Sequence, residues 1–555
     1  MLPISRRSDE QPQRLTIEQF RAAAGAAPTS AGATAGLTSS LRQPRPAEEA
    51  LVMTTEGAIY PTPWEKVAPY AAEFCGSFLL TMTFVYNYSS GDCSEWTATS
   101  NGLMVAALMY ALGHVSGGTF NPAVSVSLMF LGRYTPSVTG RLCLAQLSGA
   151  IAAGVIRALF FHGTASLGPL EGYTWRGVCA FEFIYSAMIC FVYLNCAASL
   201  SNNPLKRPNR FVGLAVGMAY VAGGYAARQV SHPVMNTAIA VGLGVVENKG
   251  LHAHSLFYIF ADGFGALLGA GFFKVVRPGE DFSGRQSALA GPRKHSEGPK
   301  VTAEFIGTFF IVLTKACNRL GESSDREGVG PEAWSVAAVI ICMVYSLRNI
   351  SGAYFNPAIT LAAVVTGRNV CSKHAAAFYG IAQFFAAVAA GSVFAILNHG
   401  NTMSSRYGYA HSYFSTVGAE MIFSLFLTYV VLTCTVSKHE LGRSGKDGAS
   451  YSTDDDHDTT DVAGLAYGAC HTAGGFAIGQ ISGAMLNPAI AFSFCGLDML
   501  HGRFDGDMLS SVFYQVVGSL VGAGIFMVTH SPIYRKTREA HEQQAQEGTP
   551  KETDR

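Results

Sequence analysis

The chain of 555 residues carries 38 basic and 38 acidic side chains, so its formal net charge is zero; 14% of its residues are charged and 49% hydrophobic. Soluble domains average about 25% charged residues, which excludes a string of soluble domains, and the balanced charge leaves no basic footprint for nucleic acid. Such a composition belongs to a polytopic membrane protein embedded in a lipid bilayer.

In chain order, residues 1–62 are rich in Arg, Gln, Ala and Pro without an apolar stretch behind a basic start. They are expected to form a disordered cytoplasmic tail and not a cleavable signal. A bilayer is crossed by about 20 apolar residues. Suitable runs lie near 67–88, 97–113, 141–162, 177–199, 210–226 and 254–276, then near 301–318, 333–347, 374–397, 413–436, 461–477 and 507–529. Between the second and third run of each set, and between the fifth and sixth, lie shorter apolar pieces such as Val124–Leu131. At a rise of about 1.5 Å per residue these cover roughly half of a ~30 Å core. They predict half-helices, which are tolerated where the backbone is buried or lines a cavity. Most cysteines (Cys75, Cys143, Cys190, Cys342, Cys434, Cys470) sit in apolar runs and no CxxC pair occurs. They read as small buried hydrophobes, and no metal or cofactor is expected.

The chain repeats itself. GHVSGGTFNPAVSVSLMFLGR around Asn121 returns 235 positions on as RNISGAYFNPAITLAAVVTGR around Asn356, and AAEFCGSF at Glu73 returns 231 positions on as TAEFIGTF at Glu304. The close offsets mark a tandem duplication of a whole module. Within the first half, Glu73 is echoed by Glu182 and Asn121 by Asn236, the internal symmetry of channels and transporters. Arg6, Arg7, Arg14, Arg21, Lys66, Lys206, Arg207, Arg210, the 274–300 linker and Arg535, Lys536 and Arg538 are basic, whereas the 87–96 loop has no basic residue. Both termini and the linker are therefore expected in the cytoplasm, which six spans per half satisfies.

Asn-Pro-Ala occurs at Asn121-Pro122-Ala123, Asn356-Pro357-Ala358 and Asn487-Pro488-Ala489, and Asn236-Thr237-Ala238 holds the fourth equivalent place. Asn is a strong N-cap and Pro suits the first helical position. Two such half-helices entering from opposite faces would set their positive dipole ends together near the midplane. There they oppose cations and offer two amides to a neutral solute in single file.

These motifs resemble the aquaporin (major intrinsic protein) family. The similarity covers about 63–276 and 301–530 and rests on the AEF glutamates, the SG…NPA loops, the AQ pairs (Ala145-Gln146, Ala382-Gln383) and the fourth-helix glutamates. It implies an all-α integral membrane protein of two tandem aquaporin-like bundles, each with six transmembrane helices, two re-entrant half-helices and a pore. The expected divisions are 1–62 tail, 63–276 first module, 277–300 cytoplasmic linker, 301–530 second module and 531–555 cytoplasmic tail. Family modules assemble in fours, so a homodimer of tandem chains is the expected assembly. The resemblance also makes Glu73, Glu182, Glu304 and Glu420 acceptors for the N–H groups of the re-entrant loops. A proton relay through these costly intramembrane carboxylates is the competing reading. Asp262 in the sixth span has no evident counterpart in the second half, and no role is assigned to it.

Departures from the family pattern concentrate at the expected outer filter. Water-selective members carry Arg three residues after the second NPA asparagine; here Ile239 and Ile490 stand there. Loss of the guanidinium predicts a wider, less polar filter, like that of the plant vacuolar-membrane branch. Carried over by spacing, the first filter is Asn101, Tyr220, Pro233 and Ile239, and the second Val336, His471, Ala484 and Ile490. Gly224 and Gly475 are the ungapped alternatives for the fifth-helix position, and His471 as a plain packed histidine is also open. Ala240 and Ala491 replace the Asp of the glycerol-conducting branch, Thr237 replaces a Pro, Arg348-Asn349 replace Gly113-His114, and Tyr354 replaces Thr119. The two pores are thus expected to differ, and one to be a candidate for closure. The loop Ser437–Asp461, with its acidic run Asp454–Asp458, reads as a solvated loop or a regulatory one, and Asn87-Tyr88-Ser89 is a weak glycosylation sequon.

The sequence thus predicts a passive channel, not an enzyme, for water and small uncharged solutes: urea, hydrogen peroxide, ammonia and, less favoured, glycerol. It would sit in the plasma membrane or an internal, vacuolar-type membrane. A non-conducting structural or adhesion member of the family and a secondary transporter with inverted repeats are the alternatives.

Overall fold

The computed structural model describes residues 63–89, 95–160, 167–203, 209–244, 253–280, 295–320, 329–367, 371–398, 412–436, 462–500 and 506–531. The regular elements among them are helices. In the first half these are α1 (Pro63–Ser89), α2 (Thr97–Ser116), α3 (Pro122–Phe130), α4 (Pro136–Phe160), α5 (Trp175–Tyr193, continued by a π-helical turn Leu194–Ala198), α6 (Val212–Ala227), α7 (Thr237–Gly244) and α8 (Ala253–Val276). In the second they are α9 (Glu297–Cys317), α10 (Val329–Ser351), α11 (Pro357–Val365), α12 (Lys373–Leu397), α13 (Tyr413–Val436), α14 (Ala463–Ser482), α15 (Pro488–Leu500) and α16 (Gly506–Thr529). Among the described residues each half therefore has six long helices and two short ones, in the expected order. Seven of the described helices are long and apolar enough to cross a membrane by length and composition. The acidic loop 454–458, the 281–294 linker segment and residues 1–62 and 532–555 lie outside the described residues.

The apolar run predicted at 333–347 underestimates its helix, because α10 continues through the polar Arg348-Asn349 to Ser351. There the Arg348 guanidinium donates to the Cys434 carbonyl at 3.2 Å, so α13 helps to hold a polar helix end. The sequon asparagine Asn87 likewise sits inside α1. Its amide donates to Ser100 Oγ (3.0 Å) and to Asn101 Oδ1 (2.7 Å), an internal role that accounts for a polar residue there.

Packing repeats between halves: α1 lies on α4, α2 on α6 and α5 on α8, as α9 lies on α12, α10 on α14 and α13 on α16. Small residues let these backbones approach, as expected in a bilayer where close packing drives association. A Cβ on Gly217 of α6 would stand 2.5 Å from the Gly102 carbonyl of α2.

The halves are joined along a seam. Helix α10 runs along α6, and α9 touches α6 and α8. Near one end Trp334 Nε1 donates to Thr99 Oγ1 (2.9 Å), itself paired with the Tyr225 hydroxyl (2.8 Å). Farther along, Tyr185 meets Thr314 at 3.2 Å. At the other end Arg277 closes the seam: it donates to Asn195 Oδ1 (2.7 Å) in the first half and to the Ser346 carbonyl (3.1 Å) in the second, and pairs with Glu280 at 3.3 Å. Burial alone would raise the Glu280 pKa; the Arg277 charge and donors from Ser201, Ser199 and Leu200 hold it below the usual glutamate range instead. The end from which α1 and α9 start is called inner below, the opposite end outer.

Candidate functional site

Each half carries one pair of short helices whose N-termini meet inside the bundle, α3 with α7 and α11 with α15. Asn is the N-cap in all four. Its Oδ1 accepts the N–H two residues on, at 3.0 Å for Asn121, 2.9 Å for Asn236, 2.9 Å for Asn356 and 3.0 Å for Asn487. Each Nδ2 then crosses to the opposing segment: Asn121 donates to the Met235 carbonyl, Asn236 to Phe120, Asn356 to Leu486 and Asn487 to Phe355, all at 2.9 Å. The four accepting residues are bulky, yet they adopt left-handed backbone, with φ of 46° at Phe120, 49° at Met235, 52° at Phe355 and 52° at Leu486. Such strain costs about 1–3 kcal/mol per residue. It carries each carbonyl into the path of the opposing amide, so that two asparagines and two carbonyls lock each pair of half-helices. No sequence signal short of the repeat itself marks these four residues.

Four buried carboxylates hold the loops that lead into the half-helices. Glu73 accepts from Ser116 Oγ (2.7 Å), Thr119 N (3.0 Å), Thr119 Oγ1 (2.9 Å), Phe120 N (2.7 Å) and Gln146 Nε2 (2.7 Å). Glu304 accepts from Ser351 (2.6 Å), Tyr354 N (3.1 Å), Phe355 N (2.7 Å) and Gln383 (2.9 Å). Glu420 accepts from Ser482 (2.6 Å), Met485 N (2.9 Å), Leu486 N (2.9 Å) and Gln515 (2.9 Å). Glu182 accepts the Val234 and Met235 N–H groups at 2.9 and 2.6 Å. Charge-assisted bonds of this kind are the strong class, and in every case they end on the residue with the left-handed φ.

Asp262 now has a counterpart. Aligning GALLGAG at 265–271 with GSLVGAG at 518–524 places it opposite Gln515, the residue that donates to Glu420. An aspartate cannot donate, and Glu182 receives nothing from it. Asp262 instead accepts from Ser186 (2.6 Å) and from the Thr237 hydroxyl (3.0 Å). Thr237 stands where the other three half-helices have Pro, so the two departures form one exchange: the lost Gln donor and the lost Pro are replaced by a hydroxyl-carboxylate link between α7 and α8.

Beyond the asparagines, Asn101, Tyr220, Pro233 and Ile239 line one cavity of about 10 Å³ with Phe84, Tyr88 and Met235. That is roughly the space of one water. Gly224 also borders it, but a Cβ there would meet Ala98 of α2 at 2.8 Å, and one on Gly475 would meet Ala333 of α10 at 2.3 Å. Both glycines therefore point at a neighbouring helix, while Tyr220 reaches inward until its hydroxyl accepts from Asn121 Nδ2 at 2.9 Å. In the second half Val336, His471, Ala484 and Ile490 are all buried. Inward of the asparagines there, the Tyr467 hydroxyl donates to the Tyr354 carbonyl at 3.0 Å, at positions held by Val216 and Thr119 in the first half.

The family described as major intrinsic protein matches residues 62–276, 171–328 and 292–453. Nodulin-26 of Glycine max is 30% identical over 38% of this chain and 76% of its own length. Aquaporin Z of Rhodopseudomonas palustris is 31% identical over 32% and 77%. The glycerol uptake facilitator protein-like 6 of Lactiplantibacillus plantarum is 27% identical over 37% and 97%. Among solved structures, the X-ray structure of the aquaglyceroporin from Plasmodium falciparum shares 16% identity and covers 42% of this chain and 96% of that one, at a TM-score of 0.34. The chain belongs to the major intrinsic protein family. It is a multi-pass integral membrane channel built from tandem copies of the family module, passive and not an enzyme.

Proposed function

We propose that each half forms its own pore, and that water and small uncharged solutes such as urea, hydrogen peroxide and ammonia pass through filters without an arginine. The observation that supports this best is the doubled lock of four asparagines, two per half, each with its carboxamide at the meeting point of two half-helix N-termini. Ile239 in the lining of the first cavity offers neither charge nor donor where water-selective relatives carry a guanidinium. Glycerol is the least favoured passenger, since Ala240 and Ala491 replace the Asp of that branch. A stopped-flow panel on proteoliposomes tests the reading. Water and urea should pass with low activation energy and no ion gradient, and the lack of any flux above empty liposomes would leave the structural or adhesion reading. In the same assay Val336→Trp is expected to remove the greater part of the water flux and Asn101→Trp a smaller part, because Tyr220 already narrows the first pore.

We further infer that two chains associate into a four-pore assembly. The seam buries α9 and α10 against α5 and α6, and the equivalent faces at the two free sides are uncovered. Leu79 and Leu103 are 45% and 47% exposed where their second-half equivalents Phe310 and Ala338 are 1% and 0%. Phe426 and Phe476 are 52% and 56% exposed where their first-half equivalents Met188 and Tyr225 are 0% and 2%. A head-to-tail contact leaving both complementary faces open is the kind that closes into a ring. Light scattering in detergent should give a protein mass of two chains; a single chain would refute the dimer. The basic residues on the linker and tails favour cytoplasmic termini.

A further inference from the structure

We propose that the open groove between the outer parts of α5 and α8 is a binding site for one sterol, a rigid, flat polycyclic lipid with a single hydroxyl. The groove has a volume of about 740 Å³, inside the roughly 300–1,000 Å³ usual for small-ligand sites. Small side chains at Cys179, Ala180 and Ala261 leave it open, and the rings of Phe183, Phe260 and Phe264 flank it. Beneath it the two helices are in tight contact: a Cβ on Gly265 of α8 would stand 2.7 Å from the Phe183 carbonyl of α5. On α8 the lining runs from Phe257 to Leu268, which at about 1.5 Å per residue is close to the ~15 Å depth of one leaflet. At the outer end Trp175 stacks on Phe257 (4.9 Å between ring centroids) and meets His254 (4.7 Å). Such amphipathic rings mark the level of the bilayer surface.

The groove faces hydrocarbon. Tyr185, which meets Thr314 in the seam, stands two residues on from Phe183 and so about 200° round the helix from it. The faces left uncovered for a second chain lie on α1, α2, α13 and α14, away from the groove. Phe260 and Phe264 are 61% and 60% exposed, and in a chain that spans the bilayer those rings meet lipid. Apolar character alone gives an acyl chain no reason to stay there, since lipid tails are as apolar as the lining. Shape decides instead. A flexible chain loses rotamer freedom when held in a fixed concavity, whereas a rigid ring system has little to lose. Laid along the phenylalanine rings, a sterol would carry its hydroxyl to the level of Trp175, where water is within reach.

The repeat supplies an internal control. With Glu182 set opposite Glu420 and Asp262 opposite Gln515, Trp175 corresponds to Tyr413, Phe257 to Ser510 and Ala261 to Tyr514. The Tyr413 hydroxyl lies 3.0 Å from the Tyr514 hydroxyl and donates to Ser510 Oγ at 3.1 Å. Two phenols therefore cross between α13 and α16 where the first half has an alanine and a groove. One module closes this helix pair with its own side chains, and the other leaves room for a lipid.

Photolabelling of the full chain in phosphatidylcholine liposomes makes the test, with a sterol that carries a diazirine in its ring system as the probe. Mass spectrometry should find the adducts concentrated on peptides holding residues 175–183 and 257–268, and excess unlabelled sterol should remove them. Ala261→Tyr, which installs the residue of the second half, is expected to cut this labelling several-fold while the weak background on other lipid-facing helices stays as it was. Phe264→Ala is run beside it in case the larger side chain prevents folding. Its ring is mostly exposed, so truncation leaves no buried void, and loss of one flank should also lower the labelling several-fold. Adducts spread evenly over the lipid-facing helices, or groove labelling unchanged in the folded variants, would overturn the proposal. So would labelling of the groove by a phospholipid with a diazirine in its acyl chain and not by the sterol, which would make the occupant an ordinary lipid tail.

Discussion

Glu73→Ala is expected to abolish flux through the first pore and to lower the melting temperature of the detergent-solubilised protein. The carboxylate receives five donors, two of them backbone N–H groups of the segment before Asn121. Each buried donor left unpaired costs about 1–3 kcal/mol, so a loss of roughly 3–5 kcal/mol is expected, as for removal of one partner from a buried charged network. A domain's whole margin is about 5–15 kcal/mol. Glu73→Gln keeps one acceptor oxygen and should fall between wild type and Ala. The scaffold role and a proton relay part company here: a relay variant would keep its melting temperature and lose only proton flux. Thermal melts and stopped-flow shrinkage on the same preparations decide between them. Melting and water flux both unchanged in Glu73→Ala would end the scaffold account.

Tyr220→Val should raise water flux through the first pore several-fold when the second is blocked by Val336→Trp. The Asn121 amide has two N–H groups. One is given to the Met235 carbonyl and the other to the Tyr220 hydroxyl, each at 2.9 Å, so the donor that would greet a passing solute is already engaged. The cavity beside the ring has room for about one water. Removing the ring both widens the path and frees the donor, whereas Tyr220→Phe frees the donor alone and should give the smaller gain. Flux that stays flat or falls in Tyr220→Val would show that the tyrosine is not the barrier, and would also remove the reason for expecting unequal losses from Asn101→Trp and Val336→Trp.

The residues differ in how far their roles could be read without coordinates. The four asparagines and four glutamates announced themselves because ionisable or strongly polar groups are rare in apolar helices, and because each recurs at a repeat-related position. Asp262 did not, since its counterpart is a glutamine and its partner Thr237 lies 25 positions away. Phe120, Met235, Phe355 and Leu486 look like ordinary core residues. Their left-handed backbone and bridging carbonyls come from two loops meeting end to end, which no local pattern encodes. Lys315 and Arg319 were equally hidden: at the end of an apolar run a basic residue reads as an interfacial anchor, and only the fold turns these two over the re-entrant segment.

By itself the sequence determined the bilayer setting, the duplication, the order of long and short helices and the capped half-helices, because hydrophobic length, repeat spacing and N-cap chemistry are local or periodic properties. The tertiary structure decided the rest. It set which carbonyl each asparagine meets, how one half lies against the other, and that Lys315 and Arg319 gather on Glu332 beside the segment before Asn487, whereas Phe84 and Tyr88 line a small cavity at the equivalent places of the first half. Contacts between residues 13 to 235 positions apart depend on how helices cross and how loops bend, and single-chain periodicity carries no information about either.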